Sequence, residues 1–289
     1  MLQDKGQLLL SYKKGNIMLK KLLLLSSITL LTACNETDSN DISTDKLVLN
    51  GSLFVENDAA KMIVDFTKEK SHVTVVLNGG DFVQATDSKS TNVMEYQDDT
   101  IWGSSYRATL PLDINNSYKV IFNRAAQNQK FESTFPAIPA AFSIVAPIDK
   151  QTFSVTSNPT IDVKWDNKIP SDKLFLRGRY SCGWTANPAV LDAKSQKMLS
   201  ELTNGQAIDI TLNDKERDLK TRILHVQEAV QSMTEGLKNS YPDSTLTFNG
   251  CDVDLELIAK SFSTASAEFS GKSELQSYRK VTMETTLTP

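Results

Sequence analysis

The sequence predicts an all-β protein made of two β-sandwiches in tandem, the second of which carries a helical insertion. From Lys46 onward, apolar residues mostly alternate with polar ones, which is the period of a half-buried strand. Turn residues such as Asn78-Gly79-Gly80-Asp81 separate the alternating runs. Prolines at three positions between residues 136 and 147 interrupt the pattern and indicate a short, semi-rigid junction between two domains.

Residues 1–33 are predicted to be an export signal. Lys20-Lys21 and the apolar run after it match the basic and apolar regions of a secretory signal, and Met18 is the expected start. The next residues, Leu31-Thr32-Ala33-Cys34, resemble the lipobox of bacterial lipoproteins. The resemblance implies that Cys34 is the first mature residue and carries covalent lipid, which anchors the chain to a membrane.

The residues after this cysteine imply a location and a tether. By the sorting rule known for such lipoproteins, Asp after the lipidated cysteine retains the protein in the inner membrane, so Asn35 at this position implies the outer membrane. Residues 34–45 are mostly acidic or small and polar, and they are predicted to form a lipidated flexible tether.

The first domain is predicted over residues 46–138. Leu47-Val48-Leu49 and Leu53-Phe54-Val55 are expected to be paired strands, and Val73 to Leu77 is expected to form a hairpin with Phe82-Val83. Further alternating strands follow, with apolar residues at Ala108, Leu110 and Leu112 and at Tyr118, Val120 and Phe122.

The last two of these strands share a recognisable connection. A leucine-rich strand, a short polar turn and a tyrosine that opens the next strand, here Tyr118, resemble the tyrosine corner of immunoglobulin-like and fibronectin type III-like sandwiches. The resemblance implies such a sandwich, in which the tyrosine hydroxyl bonds to the connecting backbone.

The second domain is predicted over residues 140–289. The run Thr160 to Trp165 alternates and ends in tryptophan, which resembles an early strand of another fibronectin type III-like domain with Trp165 in its core. A ligand-stacking role for this tryptophan is the alternative. Further strands are predicted at residues 173–182, 207–212, 245–258 and 275–287.

The excess length of the second domain forms the predicted helical insertion, residues 187–241. Asn213 and Glu216 have the spacing of a capping box, and one long helix is expected to follow until Pro242. Residues 191–202 favour a second helix over a strand. The long helix has one apolar stripe with steps of four and three, namely Leu219, Ile223, Val226, Val230, Met233 and Leu237. This stripe either packs on a sheet of the sandwich or binds a partner helix or a second copy.

Two cysteines, Cys182 and Cys251, lie in the second domain. In an immunoglobulin-like sheet the third and sixth strands are antiparallel neighbours, and the resemblance places Cys182 at the end of one and Cys251 at the start of the other. An even cysteine pair in an exported chain favours a disulfide. The resemblance therefore implies that these two residues are bonded.

Composition and motifs disfavour several function classes. A net charge of -4 gives no basic footprint for nucleic acid. Only two histidines occur, His72 and His225, and no zinc, nucleotide or nucleophile motif accompanies them. We therefore expect no catalytic residue, no metal and no cofactor beyond the lipid. Asp252, Asp254 and Glu256 alternate along a predicted strand and are expected to be its solvated face, with a calcium or glycosidase site as the alternative.

The sequence thus predicts a lipoprotein of the cell envelope that is a non-enzymatic binding or structural module for a protein or glycan partner. Its membrane contact is the lipid anchor, and its oligomeric state stays open. A calcium-stiffened adhesin or stalk and an envelope hydrolase are the alternatives.

Overall fold

The computed structural model describes residues 36–71, 73–98, 104–187 and 204–289, and strands dominate them, which confirms the all-β class. The strands of the N-terminal half are β1 (Thr37–Asp38), β2 (Leu47–Glu56), β3 (Ala59–Lys68), β4 (Val75–Val76), β5 (Phe82–Thr86), β6 (Thr91–Val93), β7 (Glu95–Gln97), β8 (Ser105–Pro111), β9 (Lys119–Arg124) and β10 (Gln129–Thr134).

Two sheets face each other in this half. One contains the neighbours β2-β3-β8-β7, and the other has the order β10-β9-β5-β6. Apolar side chains from both sheets, such as Leu53, Met62, Phe66 and Phe122, are fully buried and belong to one cluster, here called the N-terminal core.

The connection between β8 and β9 has the hydrogen bonds expected of a tyrosine corner. The Tyr118 hydroxyl donates to the Pro111 carbonyl oxygen at 2.7 Å and accepts from the Asp113 amide at 2.8 Å. Since β8 and β9 belong to different sheets, these bonds fix the chain where it crosses between them.

Two local expectations for this half are wrong. The residues expected to form two paired strands form the single strand β2, and Gly51 lies within it rather than in a turn. A Cβ atom at Gly51 would lie 2.5 Å from Leu275 Cδ2, so this glycine serves close packing. The hairpin expected at residues 73–83 is also absent, because β4 pairs with β1 whereas β5 pairs with β6 and β9.

The segment before β2 differs from the expected flexible tether. Residues 37–45 contribute β1, one short 3₁₀ helix and the start of a second, and Ile42 is buried in the N-terminal core. The fully buried Arg124 side chain donates to the carbonyl oxygens of Ser39 and Ile42 at 2.7 and 2.8 Å. Its Nε lies 3.6 Å from the buried Asp81 carboxylate, so a buried cation holds this segment on the sandwich.

In the part of the C-terminal half that the structure describes, there are eight further strands and two α-helices. The strands are β11 (Ile144–Ala146), β12 (Gln151–Ser154), β13 (Ile161–Trp165), β14 (Lys173–Asn187), β15 (Asn204–Thr211), β16 (Thr221–Leu224), β17 (Thr245–Thr264) and β18 (Glu274–Thr288), and the helices are α1 (Asp214–Leu219) and α2 (Val226–Ser240). None of the helices in the described ranges is long and apolar enough to cross a membrane.

Two sheets also face each other in this half. A three-stranded sheet has the order β11-β13-β16, and the larger sheet contains β15-β14-β17-β18 with β12 parallel to the end of β18. The buried side chains between them include Trp165, Leu176 and Leu255 and form the C-terminal core.

The predicted long helix is wrong in its middle. Its start is confirmed, because Asn213 and Glu216 form a capping box. The first helix ends at Leu219, and Lys220 adopts a left-handed conformation with φ 54°. Residues 221–224 then form β16 along β13, so pairing with a neighbouring strand replaces the continuous helix.

The C-terminal strands join the two halves. Residues 274–278 of β18 pair in parallel with residues 50–54 of β2, which extends the larger sheet to nine strands. Phe269 and Leu275, from the hairpin of β17 and β18, are buried in the N-terminal core. Residues 37–289 accordingly form one compact unit.

Candidate functional site on the outer face of the large sheet

One row of side chains crosses the outer face of the nine-stranded sheet and spans both halves. We call it the outer row and define it by register, strand by strand, as Lys173, Lys260, Tyr278, Phe54, Lys61 and Thr109. Neighbouring strands lie about 4.8 Å apart, so the five steps of the row span about 24 Å.

Alternation along each strand explains why these residues point outward. In β14, Leu174 beside Lys173 is buried in the C-terminal core. In β3, Lys61 lies between Ala60 and Met62, which are both buried in the N-terminal core. Successive side chains of a strand point to opposite faces, so burial of these neighbours places the lysines on the outer face.

Aromatic rings hold two of the three lysines of the row, Lys173 and Lys260. The rings of Phe54 and Tyr278 are stacked, with centroids 5.0 Å apart and planes 9° apart. Lys260 Nζ lies 5.8 Å from the Tyr278 centroid, and Lys173 Nζ lies 5.1 Å from the Phe262 centroid. Such contacts attract an ammonium group to the ring face and restrict its motion.

A cleft of 810 Å³ opens at the end of the outer row that lies in the N-terminal half. Three residues of the row, Phe54, Lys61 and Thr109, line this cleft. Its wall also includes Asn92, Glu95 and Arg107. Lys61 Nζ donates to Thr109 Oγ1 at 3.1 Å, which fixes the ammonium group at the wall. The volume lies in the range of small-molecule sites, and the wall combines a ring with amide, hydroxyl and charged groups.

Burial changes the proton affinity of two groups in the row. Burial lowers the pKa of Lys260, and the charge of Arg177 acts in the same direction. Burial also raises the pKa of the Tyr278 hydroxyl, to which the charge of Glu56 adds. An anion bound beside Lys260 would offset part of the cost of burying its charge.

The acidic residues of β17 do not share one environment. Asp252 and Asp254 are exposed, whereas Glu256 is 5% exposed. The Glu256 carboxylate lies 3.1 Å from Lys280 Nζ and 3.4 Å from Arg179 Nε. Burial works to raise the pKa of Glu256, but the hydrogen bond and charge of Lys280 with the charge of Arg179 hold it below its ordinary value. The Glu256 carboxylate is therefore already paired with cations of the chain itself.

The two cysteines lie at disulfide distance. Cys182 and Cys251 are directly opposite in the antiparallel register of β14 and β17, with Cα atoms 4.0 Å apart. Both are buried in the C-terminal core. The arrangement joins the two central strands of that half.

The predicted helical stripe is divided by the structure. Four of its side chains lie on α2 and are buried in the C-terminal core, namely Val226, Val230, Met233 and Leu237. Trp184 Nε1 of β14 donates to Thr234 Oγ1 of this helix at 3.0 Å. The other two, Leu219 and Ile223, are 61% and 48% exposed. The stripe on α2 therefore packs on a sheet, which was one of its two alternatives.

The other residues singled out from the sequence lie away from the outer row or outside the described residues. Trp165 is buried in the C-terminal core, as expected, so it does not stack on a ligand. Cys34, His72 and the predicted helix at 191–202 lie outside the described residues. His225 precedes α2 and lies 3.5 Å from the Glu228 carboxylate. Within the ranges that the structure describes, no group of three or more His, Cys, Asp or Glu residues could hold a metal ion.

Sequence reasoning missed the outer row. Its members come from strands far apart in the chain, and the parallel pairing of β18 with β2 brings Tyr278 against Phe54. The alternation of apolar and polar residues along the sequence indicates only that each of these residues faces away from a core. No local signal says which outward-facing residues become neighbours.

Neither a scan against protein-family models nor a search of curated proteins found a match for this chain.

Proposed function

We propose that this chain is a lipid-anchored protein of the cell envelope that binds a partner through the cleft and the outer row, without catalysing a reaction. The observation that carries the binding function is the outer face, where an 810 Å³ cleft that contains Lys61 lies at one end of a row with two ring-held lysines, Lys173 and Lys260. The anchor is carried by the resemblance of Leu31-Thr32-Ala33-Cys34 to a lipobox.

We further propose that the two halves are tandem immunoglobulin-like sandwiches. If β2, β3, β5, β6, β7, β8, β9 and β10 are lettered A, B, C, C′, D, E, F and G in chain order, the two sheets read A-B-E-D and G-F-C-C′. This is the strand order of immunoglobulin domains, with C′ added to the second sheet. The hydrogen bonds of Tyr118 support the same assignment.

The second half supports this lettering too. Its sheets read A-B-E for β11-β13-β16 and C′-C-F-G for β15-β14-β17-β18. Cys182 then belongs to strand C and Cys251 to strand F. In this lettering α2 lies in the connection from E to F, and α1 lies between C′ and E.

The anchor is tested by replacing Cys34 in the full chain expressed in a bacterial host. The unchanged protein should incorporate labelled palmitate and sediment with membranes. Cys34→Ala should lose the label, because the acyl chains need this sulfur. Label that persists in Cys34→Ala, or its absence from the unchanged chain, would contradict the anchor.

The binding function is tested by site-specific photo-cross-linking in intact cells. A photoreactive residue in place of Asn92, in the cleft wall, should give a defined adduct. The matched position is Lys164, an exposed residue of the separate three-stranded sheet, which should give none. Lys61→Gln and Lys260→Gln should remove the adduct at Asn92. Equal adducts at both positions, or none at Asn92, would refute the proposed surface.

The same protein separates the alternatives. A calcium-dependent rise in melting temperature would favour a calcium-stiffened stalk. Turnover of an envelope polymer by the purified protein would favour a hydrolase. Either result would overturn the proposal as stated.

A further inference from the structure

We infer that the ligand of the outer row is an acidic oligosaccharide whose carboxylates are spaced along a chain of sugar rings. The inference rests on the proposed function and deepens it. It is carried by three observations: cations without carboxylate partners, aromatic rings between them, and a polar cleft at one end of the row.

The lysines of the row have charges to offer. Within the described ranges, Lys61, Lys173 and Lys260 lie within ion-pair distance of no carboxylate. Their neighbours Arg177 and Lys280, by contrast, pair with Glu256 at 3.6 and 3.1 Å. The charges of Asp209 and Glu274 reach Lys260, but from beyond ion-pair distance. The lysines of the row therefore remain able to form a direct ion pair with a ligand.

The rings between these lysines suit sugar rings. Phe54 and Tyr278 stand side by side between Lys260 and Lys61, and all four are partly accessible. Aromatic side chains provide a rigid apolar contact at low entropic cost. Phe54 and Tyr278 stack on each other, so a sugar ring would meet the accessible edge of the pair rather than the faces between them. The row thus places a pair of rings between two lysines on one side and one lysine on the other, within about 24 Å.

The cleft provides the hydrogen-bonding groups that sugar hydroxyls need. Asn92 and Thr109 supply an amide and a hydroxyl, and the exposed carboxylates of Glu56 and Glu95 supply acceptors. These acidic groups disfavour a densely charged polyanion such as nucleic acid, because like charges repel, and the net charge of -4 does so too. Sparse carboxylates on a hydroxyl-rich chain fit both the lysines and the acidic rim.

The test measures binding of the full-length protein in detergent to a uronic-acid oligosaccharide by isothermal titration calorimetry. The matched probe is the same oligosaccharide with its carboxyl groups reduced to alcohols. We expect the reduced probe to bind about tenfold or more weakly, because charge-assisted contacts at the lysines are lost. Equal affinity for both probes, or no binding of either, would overturn the inference.

Variants locate the binding on the outer row. The double variant Lys61→Gln/Lys260→Gln should weaken binding about tenfold or more, whereas the single control Lys164→Gln should change it less than about twofold. Circular dichroism and melting temperature confirm that each variant is folded. If Lys164→Gln lowers the affinity as much as Lys61→Gln/Lys260→Gln does, the effect is one of net charge. If a single-stranded oligonucleotide binds more tightly than the oligosaccharide, the ligand belongs to another class. Both results would refute the inference.

Failure of this inference can be told apart from failure of the proposed function. If the uronic-acid probe does not bind but Lys61→Gln and Lys260→Gln still remove the cross-link at Asn92, the surface stands and the ligand class is wrong. If the cross-link does not depend on the row, the proposed surface itself is wrong.

Discussion

Replacing Leu275 with alanine tests whether the C-terminal hairpin completes the N-terminal core. Leu275 is fully buried there and packs against Gly51. Deletion of a buried leucine side chain costs about 3–5 kcal/mol, since apolar contact is lost and a cavity remains. Each kcal/mol lowers the melting temperature of a domain of this size by roughly 2–4 °C, so we expect a decrease of roughly 6–20 °C.

Hydrogen exchange with mass spectrometry shows which strands lose stability in the Leu275→Ala variant. Leu275→Ala should accelerate exchange in β3 and β9, although neither strand contains the substitution. The matched control is Leu287→Ala, the same change in the same strand at a fully buried position of the C-terminal core. This control should accelerate hydrogen exchange in β14 more than in β9. If Leu275→Ala leaves β3 and β9 at their original rates, the hairpin is not part of the N-terminal core and the reasoning fails.

Three further predictions concern stability. Tyr118→Phe should destabilise the protein by about 1–2 kcal/mol in urea unfolding, because its hydroxyl joins β8 to β9; no change would show that these bonds are replaceable. Non-reduced, alkylated protein should contain no alkylated Cys182 or Cys251, and reduction should lower stability by up to about 4 kcal/mol. Since the folded-state pKa of Glu256 is below its ordinary value near 4.5, its ionised form stabilises the fold above that pH, and this contribution is lost as pH falls. Glu256→Gln should therefore flatten the acid side of the stability profile, and an unchanged slope would contradict the pairing with Lys280.

The sequence predicts best what is decided locally. Alternation identifies β8, β9 and β13 because burial of one face imposes a period of two on each strand separately. The capping box at Asn213 and the corner at Tyr118 are also local, since each depends on residues a few positions apart. These features are present in the structure where they were expected.

The errors come from distant contacts that change a local preference. Gly51 is a turn residue by propensity, but it lies inside β2 because Leu275 and Phe135 pack against its bare Cα. The stripe from Leu219 to Leu237 has helical spacing throughout, yet residues 221–224 pair with β13 instead. In both places a contact with a distant strand outweighs the local pattern.

The outer row exists because of the same hairpin that joins the halves. Lys260 and Tyr278 lie on β17 and β18, and only the parallel pairing of β18 with β2 places Tyr278 against Phe54. The loss of this pairing would separate the lysines of the C-terminal half from the cleft of the N-terminal half. A substitution such as Leu275→Ala, which changes a core residue and no member of the row, should therefore weaken binding of a long acidic oligosaccharide more than binding of a short one confined to the cleft.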